Sequence, residues 1–139
     1  MFTPVALAFA VVAATASVYA QTLPDNCART YVVQPGDFCD GISAAQNAST
    51  FQLANVNKFI DPLCDNLQPG ETLCLGITGQ DCTVTTVVAE GSSCVDIANT
   101  AGTSLDTLLA NNPNVDENCS NIYPGEVLCT AKEVIVGST

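Results

Sequence analysis

The chain contains one block of 48 residues twice, and the second copy keeps the spacing of the first. Cysteines at positions 27, 39, 64 and 74 recur 55 residues later, at positions 82, 94, 119 and 129, with no insertion or deletion. Under this shift 18 of the 48 positions are identical, and the agreement is densest where residues 66–74 face residues 121–129. A fixed period shared by cysteines and turn residues indicates a duplicated structural unit. We therefore expect two copies of one small module.

The eight cysteines favour disulfide bonds over metal binding. Their spacing contains no close pair of the kind that chelates zinc, and the sequence has no histidine. Blocks of roughly 50 residues bury little core, so covalent links are also expected on stability grounds. We predict two disulfides within each block, and the spacing leaves all three arrangements per block open. The residues concerned are Cys27, Cys39, Cys64, Cys74, Cys82, Cys94, Cys119 and Cys129.

Residues 1–20 have the character of a targeting segment. An apolar run over residues 5–18 is followed by small residues at cleavage-type positions, which predicts a secretory signal peptide cleaved after Ala20. The run is short, contains Thr15 and Ser17, and has no basic flank, so a membrane anchor is disfavoured. No later stretch of the sequence is long and apolar enough to predict a membrane span. We predict a soluble product that is secreted, either extracellular or associated with a cell wall.

Charge narrows the choice of partner. The chain has 14 acidic and three basic residues, a formal net charge of −11. The bases, at positions 29, 58 and 132, are scattered, so no basic patch can follow a phosphate backbone. This composition disfavours nucleic acid and anionic membranes as partners, whereas an uncharged or a cationic ligand would be tolerated. The sequence indicates neither a cofactor nor a metal.

Each block predicts a strand, two short helices and a second strand. Runs of β-branched residues indicate the strands, helical spacing of apolar residues indicates the helices, and glycine-containing turns separate them. The predicted elements are 30–34, 39–46, 51–56 and 71–75, then 85–89, 94–100, 105–110 and 126–130. The predicted fold class is α+β, with two tandem small β-α-α-β modules stabilised by disulfides. Their expected bounds are 30–75 and 85–130, with a linker at 76–84 and a tail at 131–139.

This order of elements has a consequence for the loops. The two strands of a module should pair antiparallel, so the turn that leaves the first strand lies beside the turn that leads into the second. The exit turns contain Gly36 and Gly91, and the return turns contain Gly70 and Gly125. Both turns should therefore converge at one end of each module.

Catalysis is disfavoured. Without histidine, a Ser-His or Cys-His nucleophile pair is impossible. The acids repeated in both blocks are Asp61 with Asp116 and Glu71 with Glu126. A glycosidase needs an apolar cleft that raises a carboxyl pKa, and modules this small rarely enclose one. We predict that the protein is not an enzyme.

The converging loops are better suited to a sugar that bears acetamido groups. Backbone amides and carbonyls in turns can exchange hydrogen bonds with such a sugar, while its methyl group packs on apolar side chains. Candidate residues in the first block are Gly36, Asp37, Phe38, Asn57, Phe59, Ile60, Leu67 and Gln68. Those in the second block are Gly91, Ser92, Ser93, Asn112, Pro113, Asn114, Val115, Ile122 and Tyr123.

These motifs resemble the LysM domain, and the four-cysteine form is similar to secreted fungal LysM proteins. The matching stretches are Tyr31-Val-Val-Gln-Pro-Gly-Asp37, Ile42, Leu53-Ala-Asn-Val-Asn57 and 67–73, then 105–113 and 122–128. The resemblance covers 27–129 and implies two helices on one face of a two-stranded sheet. It also implies a non-catalytic lectin that binds chitin or other N-acetylglucosamine oligomers in a groove between the loops. By the same resemblance, such proteins shield fungal chitin from host receptors or chitinases.

The two blocks depart from the family pattern in different ways. Phe38 stands where the family's turn usually has threonine, and Gly91-Ser-Ser93 lacks the turn's aspartate, so we expect unequal sites. Sequons at Asn47 and Asn118 predict N-glycosylation, and a glycan at Asn118 would lie near the second site. Two alternatives stay open. The ligand could be peptidoglycan, or the chain could be a disulfide-rich interaction protein or inhibitor that acts on a protein partner.

Overall fold

The computed structural model describes residues 21–137, so the predicted signal peptide lies outside the described residues. The first module contains β1 (Cys27–Val32), α1 (Cys39–Gln46), α2 (Thr50–Val56) and β2 (Thr72–Ile77). The second contains β3 (Thr85–Val87), α3 (Cys94–Ala101), α4 (Leu105–Asn111) and β4 (Val127–Cys129). The strands of each module pair antiparallel, which confirms the predicted α+β fold. Within residues 21–137 no helix has the length and apolar character needed to cross a membrane.

Side-chain caps set where three of the four helices begin. Ser49, Ser93 and Ser104 are N-cap residues, and each hydroxyl accepts a hydrogen bond from the backbone amide three residues later. A serine cap of this kind stabilises a helix by about 1 kcal/mol. α1 differs, because its N-cap is Phe38, whose side chain makes no such bond. The two modules therefore begin their first helices in different ways.

The strands of the first module are longer than predicted and displaced from the predicted positions. β1 begins three residues earlier and β2 ends two residues later, since Cys27 pairs with Ile77 across the ladder. Gly76 permits this extension, because a Cβ at that position would collide with the side chains of Gln52 and Asp81. β3 and β4 have only three residues each and are shorter than predicted. β2 thus continues into the stretch predicted as linker.

All eight cysteines are paired within their own block, and the arrangement is the same in both. The first cysteine of a block pairs with the fourth, and the second pairs with the third. Cα–Cα distances of 5.8–6.1 Å suit disulfides. The bonds are Cys27–Cys74, Cys39–Cys64, Cys82–Cys129 and Cys94–Cys119. The bond between the second and third cysteines ties the start of a module's first helix to the long loop before its last strand.

A polar network holds the first module to the segment that connects it with the second. The Arg29 guanidinium in β1 donates to both oxygens of Asp81, with Nε–Oδ2 2.7 Å and Nη2–Oδ1 2.8 Å. Gln52 is buried beside this pair, and its amide nitrogen donates to the Leu75 carbonyl and to Asp81 Oδ1. Its amide oxygen accepts a bond from the Cys82 amide at 2.9 Å. This network joins β1, α2 and the connecting segment.

An apolar cluster lies at the contact between the two modules, which is called the seam below. Cys82, Cys129, Ala131 and Val136 are buried together, and Phe51 of α2 packs against them. The stretch predicted as a tail therefore contributes to the packed structure as far as residue 136. The modules are docked against each other by residues of both.

Candidate functional site

The exit and return turns lie side by side in both modules. The Gly70 amide donates to the Val33 carbonyl at 2.8 Å, and the Gly125 amide donates to the Val88 carbonyl at 2.9 Å. Gly70 and Gly125 have φ values of 89° and 94°, which glycine adopts without the strain imposed by a Cβ. The sequence-predicted convergence of the two turns is therefore present, and the backbone hydrogen bonds hold it.

Asp37 organises the exit turn of the first module. Its Oδ2 accepts hydrogen bonds from the Gln34 amide and from the Tyr31 hydroxyl, both at 2.7 Å. The bond to this carboxylate raises the pKa of the Tyr31 phenol. The carboxylate is used within the turn itself, so a ligand here would meet backbone groups more readily than this side chain. Ser92 occupies the equivalent position in the second module.

Phe38 is exposed, at 62 % of its surface, and its ring lies over the backbone of Gly41. A Cβ on Gly41 would come within 2.9 Å of the ring. The equivalent residues of the second module, Ser93 and Asp96, form a helix cap instead, with Ser93 Oγ donating to Asp96 Oδ2 at 2.7 Å. An exposed ring in place of a cap does not stabilise the helix. The ring is thus available for contact with a ligand.

Asn57 and Asn112 have buried side chains that are fully hydrogen-bonded within the fold. Asn57 Nδ2 donates to the carbonyls of Leu53 and Cys74 at 2.7 and 2.6 Å, and its Oδ1 accepts from the Cys74 amide at 2.8 Å. Asn112 makes the same three bonds in the second module, at 2.7, 2.9 and 2.8 Å. These side chains join the end of a helix to the last strand. Both residues are almost fully buried, so they shape the loops without presenting a surface to a ligand.

Glu126 connects the loop after α4 to the return turn of the second module. Its Oε1 accepts a bond from Asn114 Nδ2 at 2.7 Å, and the Tyr123 amide donates to its Oε2 at 3.4 Å. The side chain is buried, and this burial raises the pKa of the Glu126 carboxyl, although the bond from Asn114 acts in the opposite direction. Two predicted site residues, Asn114 and Tyr123, are therefore held by one carboxylate.

The equivalent Glu71 keeps the bond within the return turn but has a different side-chain partner. It accepts a bond from the Gln68 amide at 2.9 Å and from the side chain of Gln21 at 2.7 Å. Residues 21–25 run beside the loop after α2, where they enclose a cavity of about 620 Å³ with Val56, Lys58 and Phe59. Residues 21–25 thus border the first candidate site.

A second cavity, of about 350 Å³, lies at the start of α3. Its lining includes Ser92, Ser93, Val95, Leu105 and Asn118. Two predicted site residues and one predicted glycosylation residue therefore share one cavity. Asn118 is exposed, as is Asn47 at the end of α1, so both sequons are accessible to modification.

The remaining predicted residues divide by exposure. Phe59, Ile60 and Leu67 are partly buried against the first core, and Val115 and Ile122 pack with the second. The predicted residues that present an exposed surface are Gly36, Phe38, Gln68, Gly91, Ser93, Pro113, Asn114 and Tyr123. A ligand would therefore meet two exposed side chains in the first module, four in the second, and several backbone groups.

Asn66 and Asn121 were not predicted as site residues, yet they shape the loops. Asn66 Oδ1 accepts a bond from the Asp61 amide at 3.0 Å, and its Nδ2 donates to the Phe59 carbonyl at 2.7 Å. Asn121 repeats both bonds in the second module, at 2.9 and 2.8 Å. Their identity under the 55-residue shift was the signal that could have found them.

Glu126 and Asp81 should make stability depend on pH in opposite directions. Folding raises the pKa of Glu126 above its unfolded value of about 4.3, so its contribution is full below that value and is lost as pH rises through the folded pKa. The bond from Arg29 lowers the pKa of Asp81, so its contribution is present above about pH 3.9 and is lost as pH falls through the folded pKa. Glu126→Gln should therefore gain stability over the wild type as pH rises, whereas Asp81→Asn should lose it.

Urea denaturation at a series of pH values, from below the unfolded pKa values of both carboxyl groups to neutral pH, measures both effects. Each variant is compared with the wild type at every pH, since only the difference isolates one carboxyl group. A difference that does not change with pH would contradict the expectation for that residue.

Comparisons with known proteins find matches for both modules. The family model of the LysM domain matches residues 31–76 and 86–130. A secreted LysM effector of Pochonia chlamydosporia is 33% identical over 105 residues, covering 74% of this chain and 15% of that protein. The secreted LysM effector ldpA of Aspergillus fumigatus is 28% identical over 134 residues, covering 75% of this chain and 35% of that protein. This chain thus spans well under two thirds of the length of either relative.

Among solved structures, the spore cortex-lytic enzyme SleL of Bacillus cereus aligns with 75% of this chain and 22% of its own. The identity is 21% and the TM-score is 0.32. A likeness this low says nothing about activity.

Proposed function

Because this chain belongs to the LysM domain family, we propose that it is a secreted, non-catalytic lectin that binds chitin or N-acetylglucosamine oligomers. The observation that carries the proposal is the pairing of exit and return turns in both modules, held by the Gly70–Val33 and Gly125–Val88 bonds. Paired turns offer backbone donors and acceptors to hydroxyl and acetamido groups, and the exposed rings of Phe38 and Tyr123 offer apolar surface. The relatives named secreted LysM effectors support an extracellular role.

The charge of the chain favours a neutral ligand. With 14 acids against three bases, the surface repels anions, whereas an uncharged sugar has no such penalty. Affinity for a neutral sugar should therefore change little with salt, because screening acts on charges. From the resemblance to secreted fungal LysM proteins, we further propose that the biological role is the shielding of fungal chitin from host receptors or chitinases.

Titration calorimetry with N-acetylglucosamine oligomers of increasing length tests this function. The whole secreted chain should release heat on binding at both low and high salt. Phe38→Ala should weaken the first site by roughly three- to tenfold, which is the value of one aromatic contact. Val134→Ala, which removes an exposed apolar side chain from the C-terminal segment, is the matched control and should bind as the wild type does.

Two outcomes would overturn the proposal. One is an absence of binding after enzymatic deglycosylation, which removes obstruction by a glycan at Asn118. The other is binding that disappears at high salt, which would indicate a charged partner recognised by the acidic surface. Preference for peptidoglycan fragments over chitin oligomers in the same titration would reassign the ligand.

A further inference from the structure

We propose that the first module completes the second module's binding site, with Asp40 as the residue that positions Tyr123. The inference rests on the proposed function, since Tyr123 belongs to the second candidate site. It adds that this site spans two modules. Asp40 lies in the first turn of α1, far from the second module in sequence but in contact with it.

A chain of three hydrogen bonds crosses the seam at this point. The Tyr123 hydroxyl donates to Asp40 Oδ2 at 3.1 Å, and the Thr50 hydroxyl donates to Asp40 Oδ1 at 2.8 Å. The amide of Val127, the first residue of β4, donates to Thr50 Oγ1 at 3.0 Å. The return turn of the second module is thus held from outside, by its tyrosine at one end and by its strand at the other.

The ionisation states of Tyr123 and Asp40 suit this chain of hydrogen bonds, which is called the brace below. Burial raises the pKa of Tyr123 to about 12, and the nearby negative charge of Asp40 adds to the effect. The phenol therefore keeps its proton at any physiological pH and can donate to the carboxylate. The hydroxyl is held while 43 % of the residue's surface stays exposed, so a ring face is left for a ligand.

Holding the ring in advance should strengthen binding. A side chain that is free to rotate loses entropy when a ligand immobilises it, and a brace removes part of that loss beforehand. The same return turn contains Glu126, which holds Asn114 of the neighbouring loop. Glu126 also accepts a bond from the Tyr123 amide, so the second module holds the backbone of this residue and Asp40 holds its ring through the hydroxyl.

The repeat shows that this brace is not part of the module's own fold. The positions equivalent to Asp40 and Thr50 in the second module are Val95 and Leu105, which line an open cavity. The position equivalent to Tyr123 in the first module is Gln68. A feature needed for folding would occur in both copies. This one occurs only where the two modules meet.

The seam does not depend on the brace. Arg29 and Gln52 hold the connecting segment through Asp81 and Cys82, and Phe51 packs against the apolar cluster of the second module. Variants at Asp40 and Tyr123 should therefore stay folded and docked, and their effects can be assigned to the site.

The test compares Asp40→Ala, Tyr123→Phe and the double variant by calorimetry on the full chain with chitin oligomers. Each single variant should weaken the second site by roughly three- to tenfold, and the double variant should be no weaker than the worse single, because both remove one interaction. Asp106→Asn is the control for loss of charge, since Asp106 is an exposed acid in the first turn of α4. It should bind as the wild type does.

A second readout needs no ligand. In a Tyr31→Phe background, ultraviolet titration of the phenol should show the pKa of Tyr123 falling below about 12 when Asp40 becomes alanine, while the effect of burial on that pKa remains. A wild type that binds, with Asp40→Ala and Tyr123→Phe binding equally well, overturns the inference alone. A wild type that binds no oligomer overturns the proposed function and the inference together, and the titration then still shows whether the brace exists.

Discussion

Asn57→Ala is expected to lower the free energy of unfolding by about 3–5 kcal/mol, because it removes three buried hydrogen bonds at once. The substitution leaves the amide and the carbonyl of Cys74 without partners, in a strand position that is fully buried. It also frees the Leu53 carbonyl at the end of α2. Each unsatisfied buried group costs about 1–3 kcal/mol, and water cannot replace the lost partner without opening the module. Asn112→Ala should have the same effect in the second module.

Chemical denaturation of the oxidised chain measures this loss, and the chain offers a matched control. Asn99 is exposed in α3, so Asn99→Ala should change stability by no more than about 0.5 kcal/mol. Asn57→Asp adds a second comparison, because it keeps the acceptor but loses the donor and places a charge in a buried position. An Asn57→Ala variant as stable as Asn99→Ala would show that the three bonds contribute nothing.

Asn57 also illustrates the limit of sequence reasoning about the site. Its identity with Asn112 across the repeat indicated importance, and its place at the start of a loop suggested ligand contact. A repeated polar residue in a loop is equally consistent with a buried structural role. Choosing between them needs the position of the Cys74 backbone, which lies 17 residues away in sequence and under the side chain in space. Burial is a property of the packed fold.

Local features were predictable because their causes are local. Ser104 caps a helix through bonds within one turn of the chain, and glycine at position 125 is required by the conformation of its own turn. The order of elements and the meeting of the two turns follow from such features once the strands pair. The exact strand ends did not follow, since they depend on the register that joins Cys27 to Ile77.

Docking of the modules was outside the reach of the sequence. Arg29 and Asp81 are 52 residues apart, and the first block's Arg29 corresponds to a valine in the second. A bond between non-repeated residues has no signature in a repeat pattern. The same holds for Asp40 and Tyr123, whose contact joins one module to the other. Interfaces between modules need the relative placement that only the folded structure provides.

Removing the disulfides should show how much the seam contributes. Cys27–Cys74 and Cys82–Cys129 both close loops with a sequence separation of 47, so the entropy model assigns each the same stabilisation of about 4 kcal/mol. Their surroundings differ, however. Cys82 and Cys129 are both fully buried in the cluster that contains Val136 and receives Phe51, whereas in the other pair Cys74 is fully buried and Cys27 is only partly buried. Loss of the Cys27–Cys74 bond therefore serves as the reference for loss of the Cys82–Cys129 bond.

The double variant Cys82→Ala/Cys129→Ala is expected to lose about 4 kcal/mol from loop closure and about 1–2 kcal/mol more from the cavity left in the seam. Cys27→Ala/Cys74→Ala should lose mainly the contribution from loop closure. Thermal and urea denaturation without reductant measures both variants under one condition. Equal losses would mean that the cluster around Cys82 adds nothing to stability. A larger loss for the Cys82 and Cys129 pair would mean that packing between the modules adds to stability, because the loop entropy is the same in both.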